Sequence, residues 1–162
     1  MLRLMTDDSL QIVLFELAGE IYGMGIDIVQ EVIRVSEISR VPQTPDFIEG
    51  VINLRKFFIP VVDLRKRFGL GTVDAEKSAR IMIMAVEEQI IGIVVDRVHE
   101  VVTISADSID PPSPIIRGTI KTDYLLGFTE VNGQLAKILN VEKLFSEKEL
   151  GCLKEIEETV QE

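Results

Sequence analysis

The chain has 162 residues, 46% of them hydrophobic and 27% charged, which is the balance of a globular protein long enough for one compact domain. Acidic residues outnumber basic ones 27 to 17, tryptophan is absent, and the net charge of −10 repels phosphate backbones, which argues against nucleic-acid binding. No apolar run approaches a membrane span, Met1-Leu-Arg-Leu-Met5 is too short for a signal-peptide core, and the single cysteine, Cys152, excludes an internal disulfide framework, so a cytoplasmic location is expected.

In chain order, residues 11–17 and 20–26 read as strands on either side of a turn at Ala18-Gly19, followed by strands over 29–35, 51–54 and 57–62. These runs are rich in Val, Ile and Phe and too short for core helices. Pro60 lies inside the fifth run and cannot donate to a ladder, so that strand is expected at an edge or bulged there. Residues 63–68 read as one helical turn capped by Asp63, with basic residues at its negative end and Gly69-Leu-Gly71 as the stop. Residues 70–79 form a connection, and Asp110-Pro-Pro-Ser-Pro114 a rigid loop. Ser146-Glu-Lys-Glu149 is a capping-box signature for a terminal helix carrying Leu150, Leu153, Ile156 and Val160 on one stripe, with Gly151 weakening it.

The plan occurs twice. Residues 12–32 align without a gap to 81–101, with seven of 21 positions identical, including Asp27/Asp96, Val29/Val98, Glu31/Glu100 and Val32/Val101. Residues 47–68 align to 124–145 through Gly50/Gly127, Lys66/Lys143 and Phe68/Phe145. We therefore expect a single domain over about 10–150, with a first barrel repeat over about 11–69, a second over about 80–146, and an acidic tail over 147–162. Five short strands per repeat curl into a small barrel. Because the repeat is complete at Phe145, loss of the tail is expected to spare the β core. Arg55-Lys56 aligns with Asn132-Gly133, the strongest short hairpin signal in the chain, so both pairs are expected at turn tips. Arg55 would then be exposed, and Lys56 would require positive φ.

Catalytic chemistry is not evident. The chain has no G-x-x-x-x-G-K-[ST] loop, and Gly23-Met-Gly25 lacks the third glycine of a dinucleotide fingerprint because Ile28 stands there. His99, the only histidine, aligns with Gln30 and reads as an ordinary strand position. Cys152 and His99 do not have metal-ligand spacing. Asp63 and Asp96 both follow Val-Val and read as turn caps rather than catalytic carboxylates, with Asp27 and Asn140 in the equivalent positions of the opposite copies. No enzyme, cofactor or metal site is expected. Strict alternation would put Val29 and Glu31 on one face of their strand and Val32 on the other, with Val98, Glu100 and Val101 arranged alike. These residues serve either the core and a solvated face, or a groove between two barrels that receives a partner segment.

Gly50-Val-Ile-Asn-Leu-Arg55, Ile59-Pro-Val-Val-Asp-Leu-Arg65 and Phe68-Gly69 resemble the signature of the CheW family of bacterial chemotaxis coupling proteins. The likeness extends over about residues 10–150 through Glu20-Ile-Tyr22, Val29-Gln-Glu-Val32, Thr44-Pro-Asp-Phe47 and Gly92-Ile-Val-Val-Asp96. The resemblance implies an all-β fold of two intertwined five-stranded SH3-like barrels with a short C-terminal helix. It also implies a non-enzymatic adaptor that couples the histidine kinase CheA, through its CheW-like regulatory domain, to the cytoplasmic tips of methyl-accepting chemoreceptors. Such an adaptor does not enter the membrane and is recruited to receptor arrays by its partners. Carried onto this chain, the resemblance places Arg55, with Lys56 and Gly50, in kinase coupling, and Val29, Glu31, Val98 and Val101 in the receptor groove. Lys56 departs from the glycine usual in the family. A CheW-like adaptor of a non-motility pathway and a small-ligand-binding β-barrel are the alternatives, and no convergent polar cluster favours the latter.

Overall fold

The computed structural model describes residues 8–71, 77–111 and 124–161, with side chains through residue 156. Ten strands form two five-stranded sheets. The first repeat supplies β1 (Ser9–Leu17), β2 (Glu20–Gly25), β3 (Val29–Arg34), β4 (Ile48–Leu54) and β5 (Phe57–Asp63). The second supplies β6 (Arg80–Val86), β7 (Gln89–Val95), β8 (Arg97–Ser105), β9 (Leu125–Val131) and β10 (Gln134–Leu139). The expected second strand stops at Gly25 because Ile26–Ile28 winds into a 3-10 turn. The fourth strand starts three residues earlier than expected, at Ile48.

The sheets run in the orders β8-β1-β2-β10-β9 and β3-β6-β7-β5-β4. Neither sheet is one repeat, since each joins two strands of one copy to three of the other. β2 pairs parallel with β10, and β5 parallel with β7, and these two seams are equivalent under the duplication. The largest apolar cluster lies between the sheets and draws Phe15, Tyr22 and Met24 from one and Met82, Met84 and Ile93 from the other. Two smaller clusters fill the barrel interiors, one around Ile59, Ile81 and Ile83 and the other around Ile12, Leu14 and Ile138.

Pro60 contradicts its expectation, because β5 is an interior strand. Its partner Val51 exchanges both backbone hydrogen bonds with Ser39. Val51–Pro60 is therefore a pair without mutual hydrogen bonds, and the proline nitrogen faces β7, where parallel pairing begins only at Val61. The missing N–H falls where no ladder bond is made.

Asp63 caps α1 (Leu64–Arg67), its carboxylate accepting from the Lys66 backbone N–H at 3.1 Å, and Gly69 follows at φ +74°. The capping box of α2 (Glu147–Gln161) is reciprocal. Ser146 Oγ accepts from Glu149 N, and Glu149 Oε1 accepts from Ser146 N. The helix packs against the inter-sheet core through buried Leu153 and Ile156. Arg67 holds it there. Its guanidinium forks onto Glu149 at 2.7 and 2.8 Å and lies over the rings of Phe47, Tyr124 and Phe145. The tail is thus part of the core, against the expectation that it is dispensable. The Val160 side chain, residues 112–114 of the proline-rich loop and residues 72–76 of the 70–79 connection lie outside the described residues.

Candidate functional site

Four two-residue hairpins turn the chain, at Ala18-Gly19, Arg55-Lys56, Glu87-Glu88 and Asn132-Gly133, and all eight residues have positive φ. That is the type I′ geometry whose twist matches that of the flanking strands. Arg55 (φ +50°) and Lys56 (φ +71°) adopt it without glycine. Arg55 is 72% exposed, and its guanidinium donates to both Glu31 oxygens, Nη1 to Oε2 at 2.9 Å and Nη2 to Oε1 at 2.7 Å. The contact repeats in the second copy, where Asn132 Nδ2 donates to Glu100 Oε1 at 3.2 Å. Each hairpin tip is thus tied to the edge strand of its own repeat. At this exposure the ion pair contributes no more than about 1 kcal/mol, and its main effect is to orient the guanidinium.

The edge strands β3 and β8 carry the same irregularity. Val29 faces Met84 while Glu31 faces Ile83, leaving Gln30 as the extra residue of a bulge. On β8, Val98 faces Phe15 and Val101 faces Val13, so three steps on β8 meet two on β1. Directly paired residues share a face. Val29 and Val32, opposite Met84 and Met82, therefore both look to the inter-sheet side, as do Val98 and Val101 opposite Phe15 and Val13. This corrects strict alternation, which put Val29 and Val32 on opposite faces. The bulge adds a residue and inverts the pattern.

Val29, Val98 and Val101 thus all point to the inter-sheet face of their strands. Val29 and Val98 pack half-buried on the inter-sheet core, while Val101 is 47% exposed. Glu31 is on the other face with Ile83, beside Arg55. Gly50 is buried at the far end of β4 from the tip. At φ +151° it passes so close to the Ser39 carbonyl that a Cβ would collide with it, and Gly127 stands likewise against Asp110.

Sequence reasoning did not single out Phe57 and Leu135. With Val32 and Val101 they are the exposed large apolar side chains among the described residues, and each follows within two residues of a hairpin tip. The aromatic at a solvent-facing strand start after a tip was the available signal. Beneath the Arg55–Glu31 fork, Leu54, Phe57, Phe58, Ile59, Ile83 and Ile90 line an apolar hollow of about 350 Å³ at the barrel mouth.

The other polar groups are structural. Asp96 accepts from Ala18 N at 2.7 Å and pins the first hairpin, with Arg65 3.4 Å away. Asn140 opens a 3-10 turn without a side-chain cap bond, and Asp27 is exposed in another such turn. His99 Nε2 lies 3.2 Å from Glu16 Oε1. Lys137, buried over the Tyr22 ring, donates to Glu20 at 2.6 Å. Burial, and then the Glu20 carboxylate, push the Tyr22 hydroxyl well above the ordinary tyrosine range and keep it neutral. Among the described residues no cluster of His, Cys, Asp and Glu could hold a metal, and no helix is long and apolar enough to cross a membrane.

The CheW-like domain family matches residues 11–149. The chain is 34% identical over 151 residues to the chemotaxis protein CheW of Treponema pallidum, covering 91% of this chain and 88% of that one. It is 33% identical over 143 residues to the chemotaxis protein CheW of Klebsiella aerogenes, covering 88% and 86%. Among solved structures it resembles the scaffolding protein TtCheW of Thermoanaerobacter tengcongensis, with a TM-score of 0.77, 43% identity, and 85% and 88% of the two chains covered.

Proposed function

The chain belongs to the CheW-like domain family, and on that premise we propose how it joins its partners: the Arg55 tip engages a histidine kinase and the bulged edge strands engage a chemoreceptor. It is a chemotaxis adaptor, not an enzyme, and neither the ligand-binding barrel nor a non-motility pathway is favoured by its relatives. The kinase partner is the CheW-like regulatory domain of CheA, and the receptor partner is the cytoplasmic tip of a methyl-accepting chemoreceptor. The adaptor is held in the cytoplasm and reaches the membrane only through the array.

The observation that carries this reading is the Arg55–Glu31 fork. A side chain with 72% exposure adds little to stability, yet it is held in one orientation above an apolar hollow. That arrangement offers a partner a guanidinium and an anchor pocket side by side, the composition typical of binding hot spots. Lys56 adds a second positive charge to the tip. Gly50 serves it indirectly, by letting β4 pass beneath Ser39. On the inter-sheet side, Val29, Val98 and Val101 offer an apolar strip suited to the apolar face of a receptor helix. Glu31 acts with Arg55 rather than with the valines.

The test is Arg55→Ala measured against the isolated CheA regulatory domain. The variant should melt within about 0.5 kcal/mol of the parent and lose on the order of thirtyfold in kinase affinity. A folded variant that binds the kinase domain as the parent does would remove Arg55 from the interface.

A further inference from the structure

We propose that the tip end of the β3-β6-β7-β5-β4 sheet is a self-complementary contact through which two copies of this chain associate about a two-fold axis. β5 and β7 are parallel neighbours in register at Val61–Gly92, so the hairpins preceding them emerge from the same end of the sheet. One hairpin presents Arg55-Lys56 and the other Glu87-Glu88. All four residues are exposed. The Lys56, Glu87 and Glu88 side chains have no hydrogen-bond or ion-pair partner among the described residues.

All four also sit at positive φ, between +47° and +71°, a conformation that costs a non-glycine residue free energy. The equivalent end of the other sheet shows what the fold alone requires. There β2 and β10 are the parallel neighbours, and their tips are Ala18-Gly19 and Asn132-Gly133, uncharged and each with glycine at the second position. The duplicated fold therefore closes its hairpins with glycine at one end, while the other end retains strained, like-charged pairs of opposite sign. Such strain persists where it serves a contact.

The chemistry selects the occupant. A uniformly acidic or basic partner would be attracted by one tip and repelled by its neighbour. A second copy carries the same bipolar pattern at the same spacing. Under a two-fold axis the basic tip of each copy meets the acidic tip of the other, which gives Lys56, Glu87 and Glu88 partners at once while Arg55 keeps its fork onto Glu31. Phe57, 66% exposed immediately after the basic tip, adds apolar area. The net charge of −10 on each copy opposes association, so the contact is weak and transient. Because Arg55 belongs to this end as well as to the proposed kinase site, a second copy and a kinase domain would compete for it.

Sedimentation equilibrium of the full chain, with and without charge reversal, tests the proposal independently of any kinase or receptor. At about 0.1 M salt the long-range repulsion is screened and contact pairs persist, whereas about 1 M salt weakens both. The parent should show reversible dimerisation at high chain concentration and about 0.1 M salt, reduced at 1 M. Arg55→Glu with Lys56→Glu, and separately Glu87→Lys with Glu88→Lys, should each weaken it at least about tenfold. An equimolar mixture of the two variants should recover it, since each reversed tip then faces its complement. That recovery also demonstrates that both variants are folded. A parent that stays monomeric, variants that associate like the parent, or a mixture that does not recover would each overturn the proposal.

Discussion

At the scale of single residues, the basic tip combines backbone strain with exposure. Lys56 at φ +71° occupies a conformation that glycine adopts without penalty, and its side chain has no hydrogen-bond or ion-pair partner among the described residues. Lys56→Gly should therefore stabilise the fold by about 1 kcal/mol, read as a higher denaturant midpoint at unchanged slope. A midpoint at or below the parent's would mean that the lysine is not strained. The tip position was legible because Arg55-Lys56 aligns with Asn132-Gly133, and the exposure of Arg55 followed from it. The acidic tip was equally available, since Glu87-Glu88 aligns with Ala18-Gly19, but two glutamates carry no turn signal of their own. The fork onto Glu31 was not legible at all. Nothing local links residue 55 to residue 31, and the tie becomes visible only when its counterpart, Asn132 on Glu100, is seen in the second copy.

At the scale of elements, the bulges and the terminal helix account for most of what the sequence left unread. Alternation along residues 29–34 assumes one residue per pairing step. The extra residue at Gln30 breaks that assumption and moves Val32 to the side of Val29. Bulges also blunt edge strands, so β3 and β8 present apolar side chains without offering an unbroken ladder for aggregation. The terminal helix was legible in its capping box and its stripe, but not in its docking, which depends on Arg67, 82 residues earlier, reaching Glu149. Leu153 is fully buried in the inter-sheet core. Leu153→Ala should cost about 2–5 kcal/mol, and removal of the chain after Ser146 should lower the melting temperature further. A 1–146 fragment melting at the parent temperature would show that the helix does not hold the sheets together.

At the scale of the whole molecule, the duplication was legible in the recurring D-x-V-x-E-V hexapeptide, whereas the exchange of strands came only with the family resemblance. The parallel seams β2–β10 and β5–β7 join segments too far apart for any local pattern to reveal. The exchange has a consequence for folding. A fragment of residues 1–72 holds two strands of one sheet and three of the other, so it can complete neither. It should be insoluble or melt without cooperativity, and a soluble fragment with a sharp transition would contradict the intertwined description. The same architecture sets the two proposed binding regions apart, the tip end of one sheet for the kinase and the inter-sheet side, at the bulged edges, for the receptor. Joining two partners simultaneously is the central claim, and reconstituted receptor-controlled CheA kinase activity tests it most directly. Addition of the parent chain to receptor and kinase should bring the kinase under receptor control. Arg55→Ala should abolish that control by losing the kinase while still binding receptor, and Val101→Glu should abolish it by losing the receptor while still binding kinase. Control that survives either substitution in a folded protein, or a single substitution that releases both partners, would contradict the account.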